Sequence, residues 1–291
     1  MRVTCEQNPD RRTFLEKLLC LSAAGIPSLA HATDAHHHIY DSRFPAAPGA
    51  TLRPPDATVD DYRRLQKRIG ITRHVAVQPS TYGTDNRCLL DALSRFGNAA
   101  RGIAVVGPGV SDAELKRLHA AGVRGLRFNL VQAGATTPEM VAPLSRRIES
   151  LGWHIQVNAS PEQIVAGASM WSRLPVPVVF DHFGHATDTK SPVFGLLCSL
   201  MQKDKAWTKI SGVETLSKSG PPGYSDGTAV AESFLSEAPD RLIWGTNWPH
   251  STSKTKPDDL LLFNLLAQWT KDEALRRKIL VQNPGQLFGF H

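Results

Sequence analysis

Cysteine is scarce in this 291-residue sequence: Cys5, Cys20, Cys88 and Cys198 are the whole supply, with no C-x-x-C pair and no metal-finger spacing. That excludes dithiol redox chemistry and a cysteine-built zinc site as the function. Cys88 and Cys198 each lie in helix-like sequence with no near partner, and are expected to be buried, unpaired thiols. No apolar run reaches the ~18 residues that cross a bilayer, so no transmembrane helix is expected. Blocks of like charge are also missing. The formal charge of +6 comes from Lys and Arg scattered among acids, which argues against nucleic acid and for small anionic molecules. No G-x-G-x-x-G follows the first strand-like run and no Walker loop occurs anywhere, so an open nucleotide-binding sheet is unsupported. No linker divides the chain.

The N-terminus reads as an address. Asp10-Arg11-Arg12-Thr13-Phe14-Leu15 resembles a twin-arginine export signal, followed by an apolar stretch from Leu18 to Ala30 and the small-residue site Ala30-His31-Ala32. Residues 1–32 are therefore expected to be a signal peptide, residues 33–291 the mature domain, and the location periplasmic or secreted. After signal removal no membrane association is expected.

The mature sequence opens on Asp34-Ala35-His36-His37-His38-Ile39-Tyr40-Asp41, three imidazoles bracketed by two carboxylates. In a strand, side chains alternate, so His36 and His38 aim at one volume and His37 at the opposite face. Strand candidates start near residues 34, 74, 102, 123, 153, 176, 206 and 241, each followed by helical sequence. Helices are expected at 59–69, ending at Gly70, and at 87–96, 112–121, 138–151, 161–171, 194–202, 229–237, 257–269 and 272–281. Eight strand-helix units predict a single α/β domain, a (β/α)8 TIM barrel, whose chemistry sits where strands end.

Those ends are polar in at least seven of the eight strands. The first offers His36 and His38, and the second leads to Gln78 and Ser80. The fourth places Arg127 and Asn129 on one face, and the fifth His154, Gln156 and Asn158. The sixth ends at Asp181-His182, the seventh carries Lys209 and leads to Glu214 and Lys218, and the eighth ends at Asn247 and His250. A lone strand-end Asn or Ser is usually a turn or helix cap, and a lone Arg a surface charge. Their convergence is what a catalytic barrel mouth requires.

Five motifs carry a family resemblance: Asp34-Ala35-His36-His37-His38, Arg124-Gly125-Leu126-Arg127-Phe128-Asn129, Phe180-Asp181-His182-Phe183-Gly184, Ser219-Gly220-Pro221-Pro222 and Trp244-Gly245-Thr246-Asn247-Trp248-Pro249-His250. In this order they resemble the amidohydrolase superfamily, in particular its amidohydrolase-related group of lactonases of pyrone dicarboxylates and isomerases of galactarolactones. The resemblance implies His36, His38, His182 and Asn247 as catalytic residues and Arg127 as the holder of a substrate carboxylate. The strand-end reading adds Ser80, Asn129, Gln156, Asn158, Lys209, Lys218 and His250 as substrate-binding residues. Most of the superfamily has Asp where this chain has Asn247, and an amide is a poor zinc ligand and no base near neutral pH. The expectation is therefore a metal-free hydrolase of a small acidic lactone, with no cofactor. Alternatives are an intramolecular lactone isomerase, a metal-dependent hydrolase or decarboxylase of the same superfamily, with zinc the possible ion, and a non-catalytic carboxylate-binding barrel. The oligomeric state is left open.

Overall fold

A computed structural model describes residues 29–132 and 134–290. The export signal therefore falls almost wholly outside the described residues. Eight strands, β1 (Thr33–His37), β2 (Arg73–Val77), β3 (Ala100–Ala104), β4 (Val123–Asn129), β5 (His154–Asn158), β6 (Val178–Phe180), β7 (Ala206–Ile210) and β8 (Leu242–Trp244), pair in parallel in sequential order. The ring is drawn together between its first and last strands by backbone bonds from His38 N to Trp248 O and from Asn247 N to His36 O. Gly245 permits this approach, since a Cβ there would lie 2.7 Å from the Cβ of His36.

Helices follow the strands in alternation: α1 (Val59–Ile69), α2 (Arg87–Phe96), α3 (Asp112–Ala120), α4 (Val141–Ile148), α5 (Pro161–Ala166), α6 (Ala168–Arg173), α7 (Pro192–Gln202), α8 (Val213–Leu216), α9 (Ser225–Glu237), α10 (Asp259–Trp269), α11 (Glu273–Arg277) and α12 (Asn283–Phe288). Local chemistry sets their ends. Thr58 and Asp61 form a reciprocal capping box at the start of α1, which stops at left-handed Gly70. The helix expected over 161–171 breaks at Gly167 into α5 and α6. The last expected helix, 272–281, is instead α11 followed by a π-helical turn at Lys278–Gln282.

Apolar side chains fill two layers. The larger lies between the strands and the helices, and includes both expected unpaired thiols, Cys88 and Cys198. The smaller fills the barrel interior with Ala35, Val75, Ile103, Val179, Trp207 and Ile243, and is plugged by Phe288 and Phe290 from the C-terminus. With that end sealed by apolar groups, the polar strand termini face the opposite mouth. Among the described residues no helix is long and apolar enough to cross a membrane.

Candidate active site

The centre of the mouth is Asp181, which follows the last residue of β6 and is fully buried. Its Oδ1 lies 3.3 Å from both Lys209 Nζ and His36 Nδ1, its Oδ2 accepts from Gln156 Nε2 at 3.2 Å, and Arg127 Nε stands 3.8 Å away. Burial by itself pushes this carboxyl up, but the cationic Lys209 holds it well below the usual carboxylate range. Lys209, also fully buried, is brought down to about 8 by desolvation against the pull of Asp181. Two buried cations, Lys209 and Arg127, therefore stand beside this buried anion at neutral pH.

The tautomers of the β1 imidazoles follow from their partners. His38 Nδ1 lies 2.7 Å from the carbonyl of Val77, which only accepts, so Nδ1 carries the proton and Nε2 the lone pair. Lys209 Nζ lies 3.1 Å from His36 Nδ1, which must accept from the ammonium, so His36 Nε2 holds a proton and donates to His38 Nε2 at 3.3 Å. His182 Nδ1 pairs with Ser211 Oγ at 3.0 Å. Left-handed Gly212 makes room for this ring, because a Cβ there would lie 2.7 Å from His182 Nδ1. Burial pushes His38 down to about 3 and His182 to about 4, so both rings are neutral at pH 7.

A directional chain runs along the rim. His185 Nε2 donates to Asn158 Oδ1 at 2.7 Å, Asn158 Nδ2 to Asn129 Oδ1 at 3.1 Å, and Asn129 Nδ2 to Ser80 Oγ at 2.8 Å. Because each amide is committed in this sense, the Ser80 hydroxyl proton is left for a ligand. Arg127 behaves similarly: Nη1 donates to Gln78 O at 3.0 Å, while Nη2 has no hydrogen-bond partner among the described residues. These groups line a cleft of about 240 Å³ that also includes His38, His182 and Asn247.

Behind Asn247 lies a second buried network. Asn247 Nδ2 donates to Glu214 Oε1 at 3.0 Å, the same oxygen takes His250 Nδ1 at 3.0 Å, and His250 Nε2 reaches Asp259 Oδ1 at 2.9 Å. Burial disfavours the His250 cation, but bonds to Asp259 and Glu214 outweigh it and raise the ring to about 9. Both His182 and Asn247 hold left-handed backbone, φ +51° and +64°, a costly conformation for residues bearing a Cβ and one that clusters at functional sites.

The structure thus brings His38, His182, Asn247, Ser80, Arg127, Asn129 and Asn158 to one cleft. His36, Gln156 and Lys209 lie beneath it, bonded to one another or to Asp181 rather than lining it. Besides Gln156 and Lys209, two more expected substrate contacts do not line the cleft. His250 is locked between Glu214 and Asp259 and does not line the cleft. Lys218 is exposed beyond α8, its backbone N–H given to Asp226. His154 sits deep in the barrel, its ring 5.4 Å from that of Phe288. Asp181 and Glu214 went unselected as site residues, although the first adjoins His182 and the second lies between Gly212 and Lys218. Asp34 is not in the cleft either. The β1 register shifts between Asp34 and His37, taking this carboxylate to Tyr62 Oη and Thr246 Oγ1 at 2.9 and 2.7 Å. Among the described residues, His36, Asp181 and His182 converge as a potential metal set, with donor atoms within 4.8 Å of one another.

Comparison with known proteins follows the same outline. A family profile described as Amidohydrolase matches residues 33–290. A 2-pyrone-4,6-dicarboxylate hydrolase of Comamonas testosteroni is 37% identical over 275 residues, covering 89% of this chain and 90% of the relative. A D-galactarolactone isomerase of Agrobacterium fabrum is 31% identical, covering 88% and 90%. A crystal structure of a probable 2-pyrone-4,6-dicarboxylic acid hydrolase from Acinetobacter baumannii, with citric acid bound, superposes with a TM-score of 0.79 at 29% identity, covering 89% of this chain and all of the other.

Proposed function

The chain belongs to the amidohydrolase family, and from that premise we propose that it hydrolyses the lactone ring of a small carboxylated substrate. The observation that carries the reading is that the cleft combines the unengaged Arg127 Nη2 with the neutral imidazole of His182. Arg127 pairs with the substrate carboxylate and fixes the ring. The Ser80 hydroxyl donates to the lactone carbonyl oxygen, where negative charge develops in the transition state. His182, steadied through Ser211, removes a proton from the attacking water and returns it to the ring oxygen as the acyl C–O bond breaks, while Asn247 Oδ1 accepts that water's other hydrogen. With a pKa of about 4, His182 is unprotonated throughout the neutral range, though with less driving force for proton transfer than a base poised near 7.

The residues fit a catalytic zinc poorly. His36 Nδ1 and Asp181 already face the Lys209 ammonium, and the strand-8 position that would supply a further carboxylate is Asn247. Lys209 and Arg127 occupy the electrostatic role that a metal would otherwise take. The reading is a metal-free reaction.

A second reading, lactone isomerisation by acyl transfer to a neighbouring substrate hydroxyl, is favoured by the amide at Asn247, which cannot itself deprotonate water. Products from an acidic-lactone panel, followed by NMR in ¹⁸O water, separate the two: ring-opened acid with incorporated label supports hydrolysis, and unlabelled isomeric lactone supports transfer. Unchanged lactones throughout would exclude both and favour a binding protein.

Export from the cytoplasm is part of the same proposal. It is supported by Arg11-Arg12 and by a cut after Ala32 leaving every β1 residue in place, though it would remove the Ala32 carbonyl that accepts from Arg73 N at 3.0 Å. Intact mass of the native protein tests it: a chain retaining residues 1–32 overturns it.

A further inference from the structure

Beside the cleft lies a larger cavity of about 360 Å³, walled by residues 47–52 and 83–84 and by Gln132, Gly134 and Ala135, and joined to the cleft along Leu52, Ser80 and Gln132. The cleft alone, at about 240 Å³, falls below the ~300–1,000 Å³ usual for small-molecule sites, and this annex brings the combined space into that range. Its walls are tied in place. Ala47 N donates to Thr81 O at 2.8 Å, Thr81 Oγ1 to Leu52 O at 2.7 Å, and Gln132 Nε2 bridges to Thr51 Oγ1 at 3.0 Å.

Charge divides the two spaces. Arg127 is the one Arg, Lys, Asp or Glu lining the cleft among the described residues. Among the described residues the annex lining carries no charged side chain: it is Ala, Gly, Pro and Leu, with the polar groups of Thr51, Ser80, Thr84 and Gln132. Arg53, in the same loop, is exposed outside that lining, its Nε on Ala50 O. A second anionic group in the annex would lose hydration without gaining a cation, whereas an uncharged one would lose little. A compact lactone held at Arg127 would leave the annex filled only with water.

We propose that the annex is a second substrate subsite, and that the substrate is a lactone with one anionic group, held at Arg127, and an uncharged extension of its ring filling the space between these loops. This rests on the lactone reading above, and the test keeps the two apart.

The full chain is assayed on 2-pyrone-6-carboxylate, its 4-propoxy derivative and 2-pyrone-4,6-dicarboxylate. In parallel, calorimetry measures binding of 3-propoxybenzoate, benzoate and isophthalate, which cannot be ring-opened. The variants Ala50→Trp and Thr84→Trp narrow the annex from two different loops. The propoxy compounds are expected to exceed their unsubstituted and doubly charged counterparts by about tenfold or more in kcat/KM and in affinity. Both variants should erase that advantage while leaving the unsubstituted compounds within about twofold to threefold of wild type. Preference for the dicarboxylates, or equal losses on short and extended compounds, overturns the subsite. Annex-dependent 3-propoxybenzoate binding with no pyrone turned over overturns the lactone reading and keeps the subsite. Neither turnover nor binding overturns both.

Discussion

Asn247 gives its side-chain amide to Glu214 at 3.0 Å, and since a carboxylate can only accept, the Asn247 carbonyl must turn toward the cleft. The carboxylate absent from the end of β8 has thus not left the site. It stands one hydrogen bond further back, on the first turn after Gly212, with its Oε2 buried and without a hydrogen-bond partner among the described residues.

A carboxylate swap tests what this displacement does. Asn247→Asp alone puts two carboxylates in hydrogen-bond contact; they must share a proton, and activity is expected to fall. The double variant Asn247→Asp, Glu214→Gln restores an amide-carboxylate pair with the base now facing the cleft. It should exceed the single variant by roughly 10²-fold in hydrolysis and lower any isomer fraction, read by NMR in ¹⁸O water. Equal rates in the two variants would defeat the argument.

Arg127 is expected to govern substrate binding. Losing a charge-assisted pair worth on the order of 1.5–3 kcal/mol, Arg127→Ala should drop kcat/KM on an acidic lactone by about tenfold to a hundredfold or more. Arg127→Lys should recover little, because a point charge does not reproduce the planar fork. Undiminished kcat/KM in Arg127→Ala would make the residue structural.

The pH profile of kcat/KM follows from two buried groups. His182 must be unprotonated, so activity rises through about pH 4, and Lys209 must keep its proton, so it declines through about pH 8. Lys209→Arg, where it supports activity, should move the alkaline limb upward. A wild-type profile flat through pH 9 would remove Lys209 from the mechanism.

Metal dependence gives a direct check on the cation already built into the site. Protein purified and assayed with a strong chelator should retain full activity, and elemental analysis should find less than stoichiometric zinc, manganese and iron. Stoichiometric metal whose removal abolishes turnover, with recovery on readdition, would refute metal independence.

His250 ties stability to pH. Its folded value, about 9, exceeds its ordinary 6.5, so its contribution is full below about pH 6.5 and is lost as pH rises through about 9. The shift corresponds to on the order of 3 kcal/mol. Denaturant melts of wild type and His250→Gln should differ more at pH 6 than at pH 10. An equal difference at both would show that the imidazolium adds nothing.

Much of this site was legible because strand periodicity is simple. A spacing of two put Arg127 with Asn129 and His36 with His38, and the spans of α1 and α2 follow from their amphipathic pattern and, for α1, from Gly70. What escaped lies where periodicity stops. Asp181 and His182 are adjacent, so strict alternation would send them to opposite faces, yet left-handed backbone at His182 lets both turn inward. Glu214 follows left-handed Gly212 into a helical turn whose direction no strand pattern predicts. Asp34 shares its parity with His36, and only the register shift in β1 reveals that it faces Tyr62 instead.

That same carboxylate has a bearing on when the protein becomes active. Asp34 receives the hydroxyls of Tyr62 and Thr246 and the backbone N–H groups of His36 and Thr246, so the first strand is held in place partly by a residue more than two hundred positions later. During synthesis, His36 and His38 are made early but lack their final neighbours until the eighth strand has left the ribosome. Turnover is consequently expected only of the completed chain, and a nascent or truncated product ending before Thr246 is expected to lack it however well its earlier strands have paired.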